Sequence, residues 1–186
     1  FMTLLINCCA RQESRTNRLV RALLKKLGSY EELRLYDEPL LPLNEERLLR
    51  RDALLARKEY GADMFRYARQ FAAAECIVIA APLWDLSFPA MLKIYLENIY
   101  VTGIVTKYDD SGRSVGLCRA RKLYFVSTSG GPYDSRYGFD YLKSMATECF
   151  GIPEVQLIRA ENLDIAGSNP EDTLQAAIAA YGLSEK

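Results

Sequence analysis

The chain has 186 residues, 49% apolar and 26% charged, with 24 Lys+Arg balanced by 24 Asp+Glu. That apolar content excludes disorder and suits one domain over 1–186, and the zero formal charge gives no electrostatic reason to expect nucleic acid, an anionic membrane or a strongly charged protein as partner. There is no histidine, which excludes Ser-His-Asp and Cys-His catalysis and every metal site that needs imidazole, so no metal is expected and any enzyme here leaves its difficult chemistry to a cofactor.

No apolar run approaches the ~20 residues of a membrane span, and no basic-then-apolar signal segment is legible. The five cysteines (Cys8, Cys9, Cys76, Cys118 and Cys149) are odd in number and contain no CxxC. They read as buried thiols in a reducing, cytoplasmic setting.

In chain order, Thr3–Asn7 (TLLIN) predicts a first strand. Leu19, Val20, Leu23, Leu24 and Leu27 then recur with helical period, up to a stop at Gly28. Leu33–Tyr36 predicts the second strand, and Arg47–Ala56 and Ala62–Ala74 two more helices. Cys76–Ala81 (CIVIAA) is the third strand. Phe88, Met91, Leu92, Tyr95, Leu96 and Ile99 follow as a helical stripe, with Lys93 and Glu97 paired on its polar side. Leu123–Ser127 (LYFVS) is the fourth strand, Phe139–Phe150 a helix stopped by Gly151, and Val155–Arg159 the fifth strand. Ser168, Asn169 and Pro170 open a last helix over Glu171–Tyr181.

The third and fourth strands are continuously apolar, as expected where both faces of a sheet are covered. Strands alternating with helices imply parallel βαβ units, hence a three-layer α/β fold with a five-stranded parallel sheet in the order 2-1-3-4-5. Ligands of such sheets sit beyond the carboxyl ends of the strands at the switch point between strands 1 and 3. The loops after strands 1, 3 and 4 therefore carry the functional information.

The first of these, Cys8–Asn17, runs from a strand into a helix, whose N-terminal N–H groups suit a phosphate. Ser14, Thr16 and Asn17 add side-chain donors, and Arg11, Arg15 and Arg18 add charge. Ser14 or Thr16 equally serves as an ordinary N-cap. There is no GxGxxG and no Walker sequence. The second loop, Ala81–Pro89, holds the only tryptophan, Trp84, and is apolar where a surface loop is usually polar. It suits a flat, largely apolar ring; the plainer alternative is packing against a neighbouring helix or a second subunit. The third, Ser127–Tyr133, brings Gly130 and Gly131 behind a buried strand, where backbone approaches a ligand closely or simply turns.

The stretches IVIAAPLWDLSFPAMLKIYLENI, LYFVSTSGGPY and FGIPEVQLIRAENL, with SRTN after the first strand, resemble the FMN-dependent NAD(P)H:quinone oxidoreductase and azoreductase family over nearly the whole chain. The resemblance implies a flavodoxin-like fold and ping-pong hydride transfer from NADH or NADPH through FMN to a quinone, azo or nitro compound. It implies that Cys9, Arg11, Ser14, Arg15, Thr16 and Asn17 surround the FMN phosphate and ribityl chain. Pro82, Leu83, Trp84, Asp85 and Leu86 would line the flavin ring. Thr128, Ser129, Gly130 and Gly131 would hold its other edge, with Tyr133 as a hydrogen-bond donor beside the small-molecule acceptor. It also implies a homodimer, with Tyr100–Leu117 as the segment given to the partner. The chain departs from the family at Asp85, where Asn is frequent, at Cys8 and Cys9, where small hydroxyl residues are frequent, and at Thr106, where an aromatic is frequent. The rival class is a flavodoxin-like electron carrier serving a protein partner; such carriers tend to be acidic and to have a TGNT-like loop, and this chain has neither.

Overall fold

The structure is a computed structural model and describes residues 2–183. Five parallel strands form one sheet: β1 (Thr3–Asn7), β2 (Tyr30–Arg34), β3 (Cys76–Ala80), β6 (Lys122–Thr128) and β7 (Glu154–Ala160). Their order, β2-β1-β3-β6-β7, is the expected 2-1-3-4-5 when sheet strands alone are counted. The remaining two strands, β4 (Thr106–Tyr108) and β5 (Ser114–Gly116), pair antiparallel in a separate hairpin. The helices are α1 (Arg15–Leu27), α2 (Glu45–Ala56), α3 (Arg66–Ala73), α4 (Ala90–Ile99), α5 (Phe139–Ser144) and α6 (Pro170–Ala180). Among the described residues no helix is long and apolar enough to cross a membrane.

The continuous apolar strands divide by alternation into two cores. Leu4, Ile6, Ile77, Ile79, Leu123 and Phe125 face one side, with Phe71, Tyr95, Leu96 and Phe150 packed over them. Leu5, Val78, Ala80, Val126 and Ile158 face the other, under Leu19, Val20, Leu23 and Leu24 of α1 and Leu174 and Ile178 of α6. In the first core Phe71 and Phe150 meet edge to face, with ring centroids 5.0 Å apart.

Three boundaries differ from the sequence reading. The second strand starts three residues before the expected Leu33–Tyr36 and ends two residues before it does. As an edge strand it pairs only with β1, from Thr3↔Tyr30 to Asn7↔Arg34, so its outer residues Tyr30, Glu31 and Glu32 are solvent-facing and carry no apolar signal. Leu35, the buried residue that marked the run, instead opens a 3₁₀ turn over Leu35–Asp37. The Ala62–Ala74 helix begins as a 3₁₀ turn at Asp63–Phe65 before α3. The Phe139–Phe150 helix is α-helical only to Ser144, then widens to a π-helix over Met145–Phe150 that ends at left-handed Gly151.

The β4–β5 hairpin has no counterpart among the expected elements, because strands of three residues are too short for alternation to register. It is seated by direct backbone contact: a Cβ at Gly116 would lie 2.0 Å from the Gly151 nitrogen and 2.1 Å from the Phe150 carbonyl carbon. Backbone cannot yield as a side chain can. Gly116→Ala is therefore expected to destabilise the protein by about 3 kcal/mol, the upper range for overpacking, read as a lower urea midpoint with unchanged m-value.

Candidate active site

The carboxyl ends of β1, β3, β6 and β7 open into a cleft of about 310 Å³. Its floor is built by β1 and α1. Ser14 caps α1, accepting the Asn17 backbone N–H at 3.0 Å. Asn17, 3% exposed, donates its amide to the carbonyls of Arg11 (3.1 Å) and Gln12 (2.8 Å) and accepts from Asn7 Nδ2 at 2.9 Å. Asn7 accepts the Cys9 N–H at 3.0 Å and donates to Glu32 at 2.7 Å. The loop is thus wound around two buried amides, leaving the N-terminal N–H groups of α1 without intrahelical partners at the cleft.

The second and third loops are laced to the first. The Thr16 and Thr128 hydroxyls meet at 2.6 Å, both buried, and the Leu83 N–H donates to the Thr128 carbonyl at 2.9 Å. A fourth loop, after β7, extends the lattice: Leu163 N–H donates to Ser129 O, Asp164 N–H to Gly130 O and Asn162 N–H to Gly131 O.

Of the residues expected to bind a cofactor, Cys9, Arg11, Ser14, Arg15, Thr16, Pro82, Leu83, Trp84, Thr128, Ser129 and Gly130 line this cleft. Asn17 lies beneath it as the amide hub. Gly131, Asp85 and Leu86 do not line it. Asp85 and Leu86 form the centre of a two-residue turn in which Trp84 and Ser87 exchange both backbone hydrogen bonds, at 2.7 and 2.9 Å. Both have positive φ, 49° and 71°, the mark of a type I′ turn that favours Asn and Gly. A leucine there is strained. The turn holds Trp84, 46% exposed, at the cleft edge.

Tyr133 does not line the cleft. Its backbone N–H is held by Glu161 at 2.7 Å, its hydroxyl is buried without a hydrogen-bond partner among the described residues, and burial pushes its phenol up. Thr106 is likewise turned inward, its hydroxyl bonded to Ser114 at 2.6 Å, while Tyr108 is the exposed aromatic of the hairpin. Cys9 offers the cleft mainly its backbone, since its thiol is buried and raised by burial; Cys8, beside it, is pushed up to about 12 for the same reason. Both are held as unreactive thiols at neutral pH.

The sequence reading missed Asn7, Leu163 and Asp164. Asn7 is the polar last residue of an otherwise apolar strand, and that isolation was its signal. Leu163 closes the FGIPEVQLIRAENL stretch but was given no role, and Asp164 follows a strand whose loop lies away from the switch point, so nothing local pointed to the cleft.

A parallel sheet in this order, with its cleft at the switch point, defines the flavodoxin-like class. The chain belongs to that family, whose sequence profile matches residues 2–183. Within it the chain is 38% identical over 154 residues to FMN-dependent NADH:quinone oxidoreductase 2 of Clostridium acetobutylicum, covering 78% of this chain and 74% of that one. It is 44% identical over 116 residues to the FMN-dependent NADH:quinone oxidoreductase of Clostridium beijerinckii, and there the match spans 61% of this chain and 58% of the relative. The structure of an FMN-dependent NADH-azoreductase from Bacillus anthracis in complex with FMN superposes with a TM-score of 0.80 at 26% identity, covering 97% of this chain and 95% of that one.

The Thr16–Thr128 contact is expected to be worth more than either hydroxyl alone. Thr16→Val should cost about 1–3 kcal/mol, because it leaves the Thr128 hydroxyl buried and unpaired, while the double change to valine costs less than the sum. Chemical denaturation of the four proteins checks this.

Proposed function

We propose that the chain is an FMN-dependent NADH oxidoreductase that reduces quinones, and also azo or nitro compounds, by a ping-pong reaction at this cleft, and that it works as a homodimer. The observation that carries this is the meeting of three different chemistries in one half-open cleft: a helix N-terminus, an apolar aromatic edge and a hydroxyl-rich glycine loop. The donor set fits FMN. The N-terminus of α1 with Ser14, Thr16 and Arg11 suits the phosphate. Pro82, Leu83 and Trp84 offer the isoalloxazine an apolar seat, and the loop at Thr128, Ser129 and Gly130, whose hydroxyls are bonded to Thr16 and to the Gly131 carbonyl, brings backbone close to its polar edge.

When bound, FMN supplies hydride acceptance from NADH and passes the electrons to the second substrate. The protein supplies position and electrostatics. Trp84, fixed by its turn, presents an aromatic ring beside the place where nicotinamide and acceptor would alternate. NADH is favoured as donor by the names of the relatives. The partner copy would cover the exposed Tyr108, Val115 and Leu117 of the β4–β5 hairpin.

The test is one purification. The expected product is a yellow protein that releases FMN on denaturation and oxidises NADH with menadione, giving parallel double-reciprocal lines. Trp84→Ala is expected to lower FMN affinity or turnover about tenfold, the scale of one aromatic contact. A flavin-bearing protein that no nicotinamide reduces would instead be an electron carrier, and a colourless protein that takes up no FMN would overturn the reading.

A further inference from the structure

The α1 end of the cleft carries a charge arrangement that the three-loop reading leaves unassigned. Arg15 crosses from the first turn of α1 to the loop after β7. Its Nη1 donates to the Leu163 carbonyl at 3.0 Å and its Nη2 to Asp164 Oδ1 at 2.8 Å. Asp164 is itself placed by backbone, its N–H donating to Gly130 O at 2.8 Å. Its second oxygen covers Gly130 so closely that a Cβ there would lie 2.3 Å away. Of the charged residues lining the cleft, Arg11 and Arg15 are matched in number by Glu13 and Asp164, and Glu13 already lies 3.5 Å from Arg21, which leaves Asp164 as the carboxylate set on a cleft arginine. A site built only to hold a dianionic phosphate has no use for a carboxylate on the guanidinium nearest the helix N-terminus.

We propose that Asp164 sets how strongly this chain discriminates for the charged end of the flavin. By engaging Arg15 and adding a negative charge of its own, it holds the affinity for phosphate-bearing flavin below what α1 and its arginines would give, and leaves the affinity for the ring untouched. The proposal rests on the FMN reading above. Asp164 acts partly through Arg15 and is in that respect a positioning residue. Because the Leu163 carbonyl still anchors Arg15 when the carboxylate is neutralised, loss of the charge outweighs loss of the contact.

The apoprotein is titrated with FMN and, separately, with riboflavin, which lacks the phosphate, following quenching of flavin fluorescence. Asp164→Asn keeps an acceptor for Arg15 and the backbone bond to Gly130. It is expected to tighten FMN about fivefold, the scale of one largely exposed ion pair. Riboflavin should stay within about twofold. In an Arg15→Gln background the gain should shrink, since part of it comes from the released guanidinium. Asp164→Ser, with the same expectation, serves if the first variant folds poorly. An equal shift for both flavins, a loss of FMN affinity, or a full gain without Arg15 overturns the proposal. Wild-type protein that binds neither flavin overturns the FMN reading itself, and this proposal with it.

Discussion

Two buried side-chain amides hold the site together. Asn7 ends β1 and Asn17 sits in the first turn of α1, and their contact at 2.9 Å ties the strand to the helix that follows it. Each amide spends its remaining bonding capacity on the backbone or on the edge strand: Cys9 and Glu32 for Asn7, Arg11 and Gln12 for Asn17. A buried amide left unpaired is costly, so the turn has little freedom to relax. The N-cap at Ser14, the Thr16 hydroxyl that reaches the third loop, and the direction in which α1 points its N–H groups all follow from that knot.

Against this rigid floor the aromatic wall is held differently. The Trp84–Ser87 turn keeps two consecutive non-glycine residues in the left-handed region, at about 1–2 kcal/mol each. It persists because its flanks are fastened: Leu83 to Thr128, Trp84 and Ser87 to each other, and the Ser87 hydroxyl to the Tyr137 carbonyl at 2.6 Å. One side of the cleft is set by satisfied polar groups and the other by strain that its neighbours offset. Such strain clusters at functional sites, and here it holds the single tryptophan of the chain at the cleft edge.

The sheet was legible wherever strands are covered on both faces. CIVIAA and LYFVS are continuous apolar runs, and TLLIN is one between its polar ends, because alternate residues enter two separate cores. The edge strand was misplaced for the opposite reason: Tyr30, Glu31 and Glu32 face solvent, and the hydrophobic cue, Leu35, belongs to the turn beyond. Most of the cleft was legible too, since helix caps, prolines and paired glycines leave local marks. What sequence does not carry is where a side chain is spent. Asn17 carries the donors expected near a phosphate yet gives them to the backbone; Tyr133 lies in the right loop and buries its hydroxyl; Asp164 becomes visible only once β7 is laid beside β6.

The contacts that close the cleft join residues very far apart along the chain, 112 positions between Thr16 and Thr128 and 149 between Arg15 and Asp164. No fragment holding only one half of the sheet contains the cavity. Whatever occupies it therefore recognises the completed fold and has little to bind in partly folded chains. By mass action, a ligand held at about a hundred times its dissociation constant adds about 2.7 kcal/mol to the stability of the native state. Occupancy of the cleft is in this sense a report on the integrity of the whole domain: a lesion at the far edge of the sheet is felt as lost ligand, and a supply of ligand offsets the lesion.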